Sequence, residues 1–204
     1  MRFLIFFILI ISLIQAANAA FVPDSFVGEF VEVHKGTNIP VEIKYLKNGH
    51  VFYTSYDSDD KELVQLIYVC NPKVTYKYTP PLFEDEKGEL ARGDSNKFCY
   101  AKIFDSLRRG LVDNKVYTVS NNKDESILTF TKAAQKQLGL KKIEISFKAK
   151  SKASIKDIAT MKFYFEQKPE PTLYKFVKIN IEQKLNKSDF EFQIPENTNI
   201  KEMN

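Results

Sequence analysis

The sequence has no tryptophan, two cysteines, two histidines and seven glycines in 204 residues. Histidine is the side chain that ordinarily titrates near neutral pH, and neither His34 nor His50 lies in a motif with a candidate nucleophile. Two histidines and two cysteines scattered in this way also lack metal-ligand spacing. The glycine-rich phosphate-binding motifs and the nucleophile elbow are missing as well. We therefore predict a protein that is not an enzyme and that needs no metal or other cofactor.

Acidic residues cluster at two places, Asp57–Asp60 and Glu84–Glu86, within polar runs typical of loops. Their simplest interpretation is solvation or weak cation binding. A catalytic pair of carboxylates stays open as an alternative, because spacing along the sequence does not give distance in space.

The first residues have the pattern of a secretory signal peptide. Met1-Arg2 is positively charged, Phe3–Ile14 is apolar, and Ala17-Asn18-Ala19 supplies the small residues of a cleavage site. The apolar run is shorter than the ~20 residues that span a bilayer, which favours a cleaved signal over a retained anchor. We predict a signal peptide at residues 1–19 and one exported domain at residues 20–204. No cysteine stands directly after the cleavage site, so a lipid-anchored mature N-terminus is not expected.

Cys70 and Cys99 both lie in the predicted mature chain. Export to an oxidising compartment permits a disulfide between them, which would add roughly 3–4 kcal/mol of stability. Two buried free thiols are the alternative.

Lysine is concentrated in one part of the chain. Residues 132–187 hold fourteen lysines and five acidic residues, while the rest of the predicted mature chain is net acidic. The two interpretations are a solvated outer sheet face and a surface for anionic headgroups or an acidic partner.

Most of the chain after Phe26 alternates apolar and polar residues, which is typical of β-strands. Lys47-Asn48-Gly49 predicts a hairpin with a two-residue turn. So many short strands favour one curved antiparallel sheet, a barrel or a sandwich. The predicted strands are Ser25–Val33, Ile39–Tyr45, His50–Tyr56, Leu63–Cys70 (central in the sheet), Lys73–Thr79, Lys115–Val119, Ser126–Thr131, Lys141–Lys150, Ala159–Gln167, Thr172–Gln183 and Asp189–Ile194.

Helices are predicted at two places. Apolar residues recur at helical spacing over Phe98–Leu111, and Lys132–Leu138 is compatible with a single helical turn. The polar stretch Leu82–Lys97 is expected to be an exposed loop, and Thr198–Asn204 a frayed tail.

Aromatic residues are abundant, with 17 Phe and 10 Tyr. Several recur at alternate strand positions and so share a face of the sheet. That face is either an ordinary core or the lining of a cavity for an apolar ligand, and the period alone does not separate the two. The pairs are Tyr76 with Tyr78, Phe163 with Phe165, and Tyr174 with Phe176.

Five segments between residues 25 and 200 follow one another in a recognisable order. They are Ser25–Glu32 (SFVGEFVE), Tyr68–Pro80 (YVCNPKVTYKYTP), Leu128–Lys132 (LTFTK), Thr172–Phe176 (TLYKF) and Phe190–Thr198 (FEFQIPENT). Each motif alone is weak, but their succession resembles the LolA family of outer-membrane lipoprotein carriers.

This resemblance implies a mainly β (α+β) fold, an open and incomplete antiparallel β-barrel with a few lid helices. It also implies a periplasmic carrier that binds lipoprotein acyl chains and moves them from the inner to the outer membrane. The donor would be an inner-membrane LolCDE-type ABC transporter and the acceptor a LolB-type outer-membrane protein. We expect transient contact with membrane surfaces, a monomer, and no nucleic-acid partner. The alternative is a lipid- or lipoprotein-sensing module on the same fold.

The resemblance also implies a site. Phe104 and Leu107 would belong to the lid over the acyl-chain cavity. The cavity lining would comprise Phe30, Val41, Ile43, Val51, Tyr53, Tyr76, Tyr78, Phe163, Phe165, Tyr174 and Phe176.

The chain departs from the family at three points. Only about five mature residues precede Ser25, where family members have an amphipathic helix. Lys44-Tyr45-Leu46 stands where the family often has Lys-Arg-Pro, whose arginine latches the lid. Tyr53 and Tyr76 occupy the usual tryptophan positions.

Overall fold

The computed structural model describes residues 20–148 and 152–203, and the predicted signal peptide lies outside the described residues. Twelve strands form one sheet. They are β1 (Ser25–His34), β2 (Thr37–Leu46), β3 (His50–Tyr56), β4 (Val64–Cys70), β5 (Thr75–Thr79), β6 (Gly88–Gly93), β7 (Tyr117–Asn121), β8 (Glu125–Phe130), β9 (Leu140–Phe147), β10 (Ile158–Phe165), β11 (Thr172–Asn180) and β12 (Thr198–Glu202). The helices are α1 (Ser95–Phe98), α2 (Ala101–Leu107) and α3 (Lys132–Leu138), with 3₁₀ turns at Ile155–Asp157 and Lys187–Phe190.

The strands run in the order β12-β6-β5-β4-β3-β2-β1-β11-β10-β9-β8-β7. Neighbouring strands are antiparallel except β12, which runs parallel to β6. The sheet ends at two edge strands, β12 and β7, so it does not close on itself. The structure confirms the predicted mainly β fold, an open and incomplete antiparallel barrel with few helices. The helices of the described residues are too short and not apolar enough to cross a membrane.

The main core lies on one face of this sheet, beneath α2. Phe26 of β1, Tyr45 of β2 and Phe104 of α2 form an aromatic cluster with ring centroids 5.2–5.4 Å apart. The next residue on that face of β1 is Gly28, and the Phe30 ring lies so close to it that a Cβ would clash. A glycine there lets Phe30 pack against Phe176 of β11, with ring centroids 4.7 Å apart.

The chain before β1 takes part in this core. Phe21 is 3% exposed and Val22 is fully buried. The backbone N–H of Phe21 donates to the Arg108 carbonyl at 3.1 Å, and its carbonyl accepts from the Ile155 N–H at 2.8 Å. The short stretch before β1 therefore packs beside the end of α2.

Residues with positive φ shape the first two hairpins. The β2–β3 turn holds Asn48 at φ 67° and Gly49 at φ 86°, as expected for an Asn-Gly turn. It has three residues, however, because Leu46 pairs with His50, so the predicted two-residue turn was wrong. A two-residue turn instead joins β1 to β2 at Lys35-Gly36, where both residues have positive φ.

The first predicted helix is present as two shorter helices. Instead of one helix over Phe98–Leu111, α1 and α2 follow each other with Cys99 and Tyr100 between them. Gly110 has φ 97°, a conformation that favours glycine, and its N–H donates to the Leu107 carbonyl. Helix α3 matches the prediction and ends at Gly139 in the left-handed conformation.

Three local predictions were wrong. The expected loop Leu82–Lys97 contains β6, and the expected frayed tail contains β12, which pairs with β6 from Thr198↔Gly88 to Glu202↔Arg92. These two strands stabilise each other across about a hundred residues, a contact that local patterns do not reveal. The predicted strand Asp189–Ile194 is a 3₁₀ turn followed by irregular chain. Its alternating residues Phe190 and Phe192 pack against side chains of β3 and β5 instead of pairing in the sheet.

The C-terminal segment covers the outer face of β3–β6. Phe190 is fully buried and its ring centroid lies 5.5 Å from that of His50. Phe192 lies 5.9 Å from Tyr76 and 5.4 Å from Tyr78. This packing forms a second, smaller apolar cluster on the face opposite the main core.

Candidate ligand-binding cavity

The main-core face of the sheet contains a partly open cavity of about 360 Å³. This volume lies within the range of small-molecule sites. Its wall is mostly apolar. It comes from strands β1–β5, from strands β10 and β11, and from the segment that includes α2. The lining residues are Phe30, Glu32, Ile43, Val51, Tyr53, Leu66, Tyr68, Lys77, Tyr100, Ile103, Phe104, Met161, Phe163, Phe165, Lys168, Thr172, Tyr174, Phe176 and Met203.

Most of the site residues expected from the sequence lie along this wall. Alternation along the strands explains this, because the expected strand residues point to the same face of the sheet as the core residues of β1. They are Phe30, Ile43, Val51, Tyr53, Phe163, Phe165, Tyr174 and Phe176, with Phe104 from α2.

Four expected residues lie elsewhere. Val41 and Leu107 are 3% and 1% exposed and belong to the packed core beside the cavity. Tyr76 and Tyr78 are on the opposite face of β5, against Phe192. The register explains this correction, because Tyr68 pairs with Lys77, so Lys77 is the β5 residue that reaches the cavity.

Tyr100 is a lining residue that the sequence did not suggest. Its ring centroid lies 5.5 Å from Tyr68 of β4 and 6.4 Å from Phe165 of β10. Its backbone N–H also donates to the Tyr68 hydroxyl at 3.2 Å. Tyr100 thereby bridges β4 and β10, which are not neighbours in the sheet. Helical spacing could not identify it, because it lies in the break between α1 and α2.

A disulfide fixes the segment that carries Tyr100. Cys70, the last residue of β4, is bonded to Cys99, with their Cα atoms 5.6 Å apart. Both cysteines are buried, at 0% and 2% exposure. The link holds the chain that leads into α2 against the end of β4.

Helix α2 is attached to the sheet by a second contact. The Asp105 carboxylate accepts a 2.7 Å hydrogen bond from the Tyr45 hydroxyl and bonds of 3.0 and 2.9 Å from the N–H groups of Asn48 and Gly49. Burial, followed by this carboxylate, raises the pKa of Tyr45 well above its ordinary value, so the hydroxyl remains a donor. Tyr45 stands where the resemblance places the latch arginine.

An ion-pair group lies beside that attachment. Asp24, which precedes β1, pairs with Lys47 of the β2–β3 turn and with Arg108 at the end of α2. The hydrogen bond from Lys47 is the main cause of the lowered pKa of Asp24. Because the carboxylate is largely exposed, solvent screens these pairs and their contribution to stability is small.

One polar cluster lies within the apolar wall. Glu32 Oε2 accepts hydrogen bonds from the Tyr174 hydroxyl at 2.7 Å and from the Tyr53 hydroxyl at 2.9 Å. Burial raises the pKa of both tyrosines, and the neighbouring Glu32 raises it further. The sequence had marked the two tyrosines as apolar lining and did not indicate Glu32, which alternation alone places on the same face as Phe30.

The lysines of the lysine-rich region lie in different surroundings. Lys142 of β9 pairs with Glu144 at 2.7 Å and lies 4.1 Å from the Tyr164 ring centroid. Lys168 differs, because it lines the cavity and lies 5.4 Å from the Phe165 ring centroid. In residues 20–148 and 152–203, no group of three or more His, Cys, Asp or Glu side chains is arranged to hold a metal ion.

The whole arrangement is an open barrel with a lidded apolar cavity. No known family model matches the chain, and no curated protein matches it. The fold is similar to that of a domain from Vibrio parahaemolyticus described as an outer-membrane lipoprotein-sorting protein domain. That similarity has a TM-score of 0.39 at 9% identity, and it covers 81% of this chain and 88% of the other.

Proposed function

We propose that this protein is an exported, periplasmic carrier that holds the acyl chains of lipoproteins and moves them from the inner to the outer membrane. The observation that carries the proposal is the apolar cavity of about 360 Å³, open to solvent and lined by aromatic side chains. The ordered motifs shared with the LolA family support the choice of cargo. An inner-membrane LolCDE-type transporter as donor and a LolB-type acceptor complete the proposed pathway.

The size and openness of the cavity are suited to transfer. Burying an acyl chain gains ~0.8 kcal/mol per methylene, so complete enclosure of a long chain would exceed ~10 kcal/mol and hinder release. A cavity that leaves part of the chain in contact with water or with a partner lowers that affinity. The carrier can then pass its cargo to an acceptor with a larger apolar surface.

A sensing module on the same fold is the second candidate. The attachment of α2 to the sheet favours it, because Cys70–Cys99 and the Asp105 hydrogen bonds restrain the opening of this lid. A module that reports on bound lipid does not need to release it at every cycle.

Native mass spectrometry of the protein purified from periplasm separates the two candidates. Co-purified lipid or lipoprotein supports the carrier, a stoichiometric protein partner supports the sensing module, and an empty protein contradicts both. Depletion of the protein should also leave lipoproteins in the inner membrane if it is the carrier.

A pair of variants tests the cavity itself. Phe165→Asp places a carboxylate on the half-buried rim of the cavity and should abolish lipoprotein pull-down. Phe83→Asp is the matched control, since Phe83 is 65% exposed in the β5–β6 loop. Unchanged binding by a folded Phe165→Asp protein would exclude this cavity as the acyl-chain site.

A further inference from the structure

The cavity wall contains an acidic group that an acyl chain alone does not require. Glu32 is the one carboxylate among the described residues that line it. Two of its neighbours on the same face of β1 and β11, Phe30 and Phe176, are apolar. An ionised carboxylate beside such a surface is unfavourable unless a hydrogen-bonding or charged partner compensates it.

The protein compensates Glu32 only in part. Both hydrogen bonds from Tyr53 and Tyr174 reach the same oxygen, Oε2. The ion pairs of the described residues do not include Glu32. Lys77 and Lys168 line the same cavity without forming an ion pair with Glu32. The negative charge therefore faces the cavity without a cationic partner from the described chain.

The hydrogen-bonding capacity of the cluster is one-sided. A carboxylate only accepts, and the hydroxyl protons of Tyr53 and Tyr174 are already donated to it. What the cluster offers to a ligand is therefore a negative charge and acceptor lone pairs. A primary ammonium, which has three donors, a positive charge and no acceptor, is its complement.

Aromatic rings lie beside the same position. Tyr174 packs edge-on against Phe163, with ring centroids 5.4 Å apart, and both rings line the cavity. Ring faces near an ammonium add a favourable cation–π interaction, whereas they offer nothing comparable to an anionic head.

We propose that Glu32, held by Tyr53 and Tyr174, binds the protonated amine of an amphiphile whose alkyl chain fills the cavity. The inference rests on the proposed function, which supplies the apolar part of the ligand, and it adds the chemistry of the polar part. It assigns Glu32 as the residue that selects amine-bearing cargo over neutral or anionic cargo of the same chain length.

Three single-chain probes that differ only in their head group test this selection: dodecylamine, dodecanol and dodecanoate. Their affinities for the full mature chain are measured by calorimetry below their aggregation concentrations. Because a charge-assisted hydrogen bond is stronger than a neutral one, the amine should bind at least about 10-fold more tightly than the alcohol. Dodecanoate should bind more weakly than dodecylamine, because Glu32 attracts the ammonium and repels the carboxylate.

Substitution of Glu32 then locates the selectivity. Glu32→Gln keeps a similar shape and should bring the amine to within about 2-fold of the alcohol, without weakening alcohol binding. Glu29→Gln is the matched control, since Glu29 lies exposed on the opposite face of the same strand. It should keep the full preference of the wild type.

The outcomes separate this proposal from the one on which it rests. Equal binding of amine and alcohol by the wild type overturns the amine site while leaving the apolar cavity intact, and that comparison requires no variant to fold. A preference that persists in Glu32→Gln also overturns it. If none of the three probes binds, the carrier function itself is wrong.

Discussion

The Tyr45 hydroxyl of β2 donates a 2.7 Å hydrogen bond to Oδ1 of Asp105 on α2. Tyr45 is fully buried, and its ring also packs 5.4 Å from Phe104, one residue before Asp105 in the sequence. One side chain thus joins the sheet to the lid by both a polar and an apolar contact. The same carboxylate also binds the β2–β3 turn. The position of α2 therefore depends on the positions of β2 and of this turn.

Asp105→Ala should lower the free energy of unfolding by about 2–3 kcal/mol, because it leaves the buried Tyr45 hydroxyl without its acceptor. Urea denaturation measures this change. Asp124→Ala, at an exposed position in the β7–β8 turn, should change stability by less than about 0.5 kcal/mol. Equal effects of the two substitutions would show that the Asp105 contacts do not stabilise the fold.

Removing the disulfide should destabilise the fold and loosen the lid. The bond closes a loop with a sequence separation of 29 residues, so the Cys70→Ala/Cys99→Ala double variant should lose about 3–4 kcal/mol. Hydrogen exchange of the α2 amides should become faster, because the chain that leads into α2 is no longer linked to the end of β4. If a reductant leaves both the stability and the exchange of the wild type unaltered, the link does not restrain the lid.

Occupation of the cavity can be followed with a single introduced fluorophore, because the chain has no tryptophan. Phe165→Trp places an indole on the cavity wall, and addition of dodecanol should shift its emission to shorter wavelength as water is displaced. Phe83→Trp in the exposed loop should show no shift. The same shift in both proteins would indicate non-specific association instead of cavity binding.

The C-terminal segment should contribute substantially to stability. Phe190→Ala removes a fully buried ring from the outer face of the sheet and should cost about 3–5 kcal/mol of unfolding free energy. Phe83→Ala, which truncates a 65% exposed ring, is the control and should cost less than about 0.5 kcal/mol. A Phe190→Ala protein as stable as the wild type would mean that this segment is only loosely attached.

Local pattern identified most strands but could not assign every residue to a face. Tyr76 and Tyr78 were correctly placed on a common side of β5, yet only the register Tyr68↔Lys77 shows that this side points away from the cavity. Glu32 shows the opposite case. Its alternation with Phe30 directs it inward, but a polar residue is not expected on an apolar wall until Tyr53 and Tyr174 are seen beside it.

By itself, the sequence determined the β-rich class, most strands, the turn at Asn48-Gly49 and the end of a helix near Gly110, because these depend on side-chain period and on local backbone preferences. The tertiary structure decided which face of each strand lines the cavity and where Tyr100 lies. It also decided the pairing of β12 with β6, about a hundred residues away. Contacts between distant segments set these features, and their free energy has no signature in the short-range order of residues.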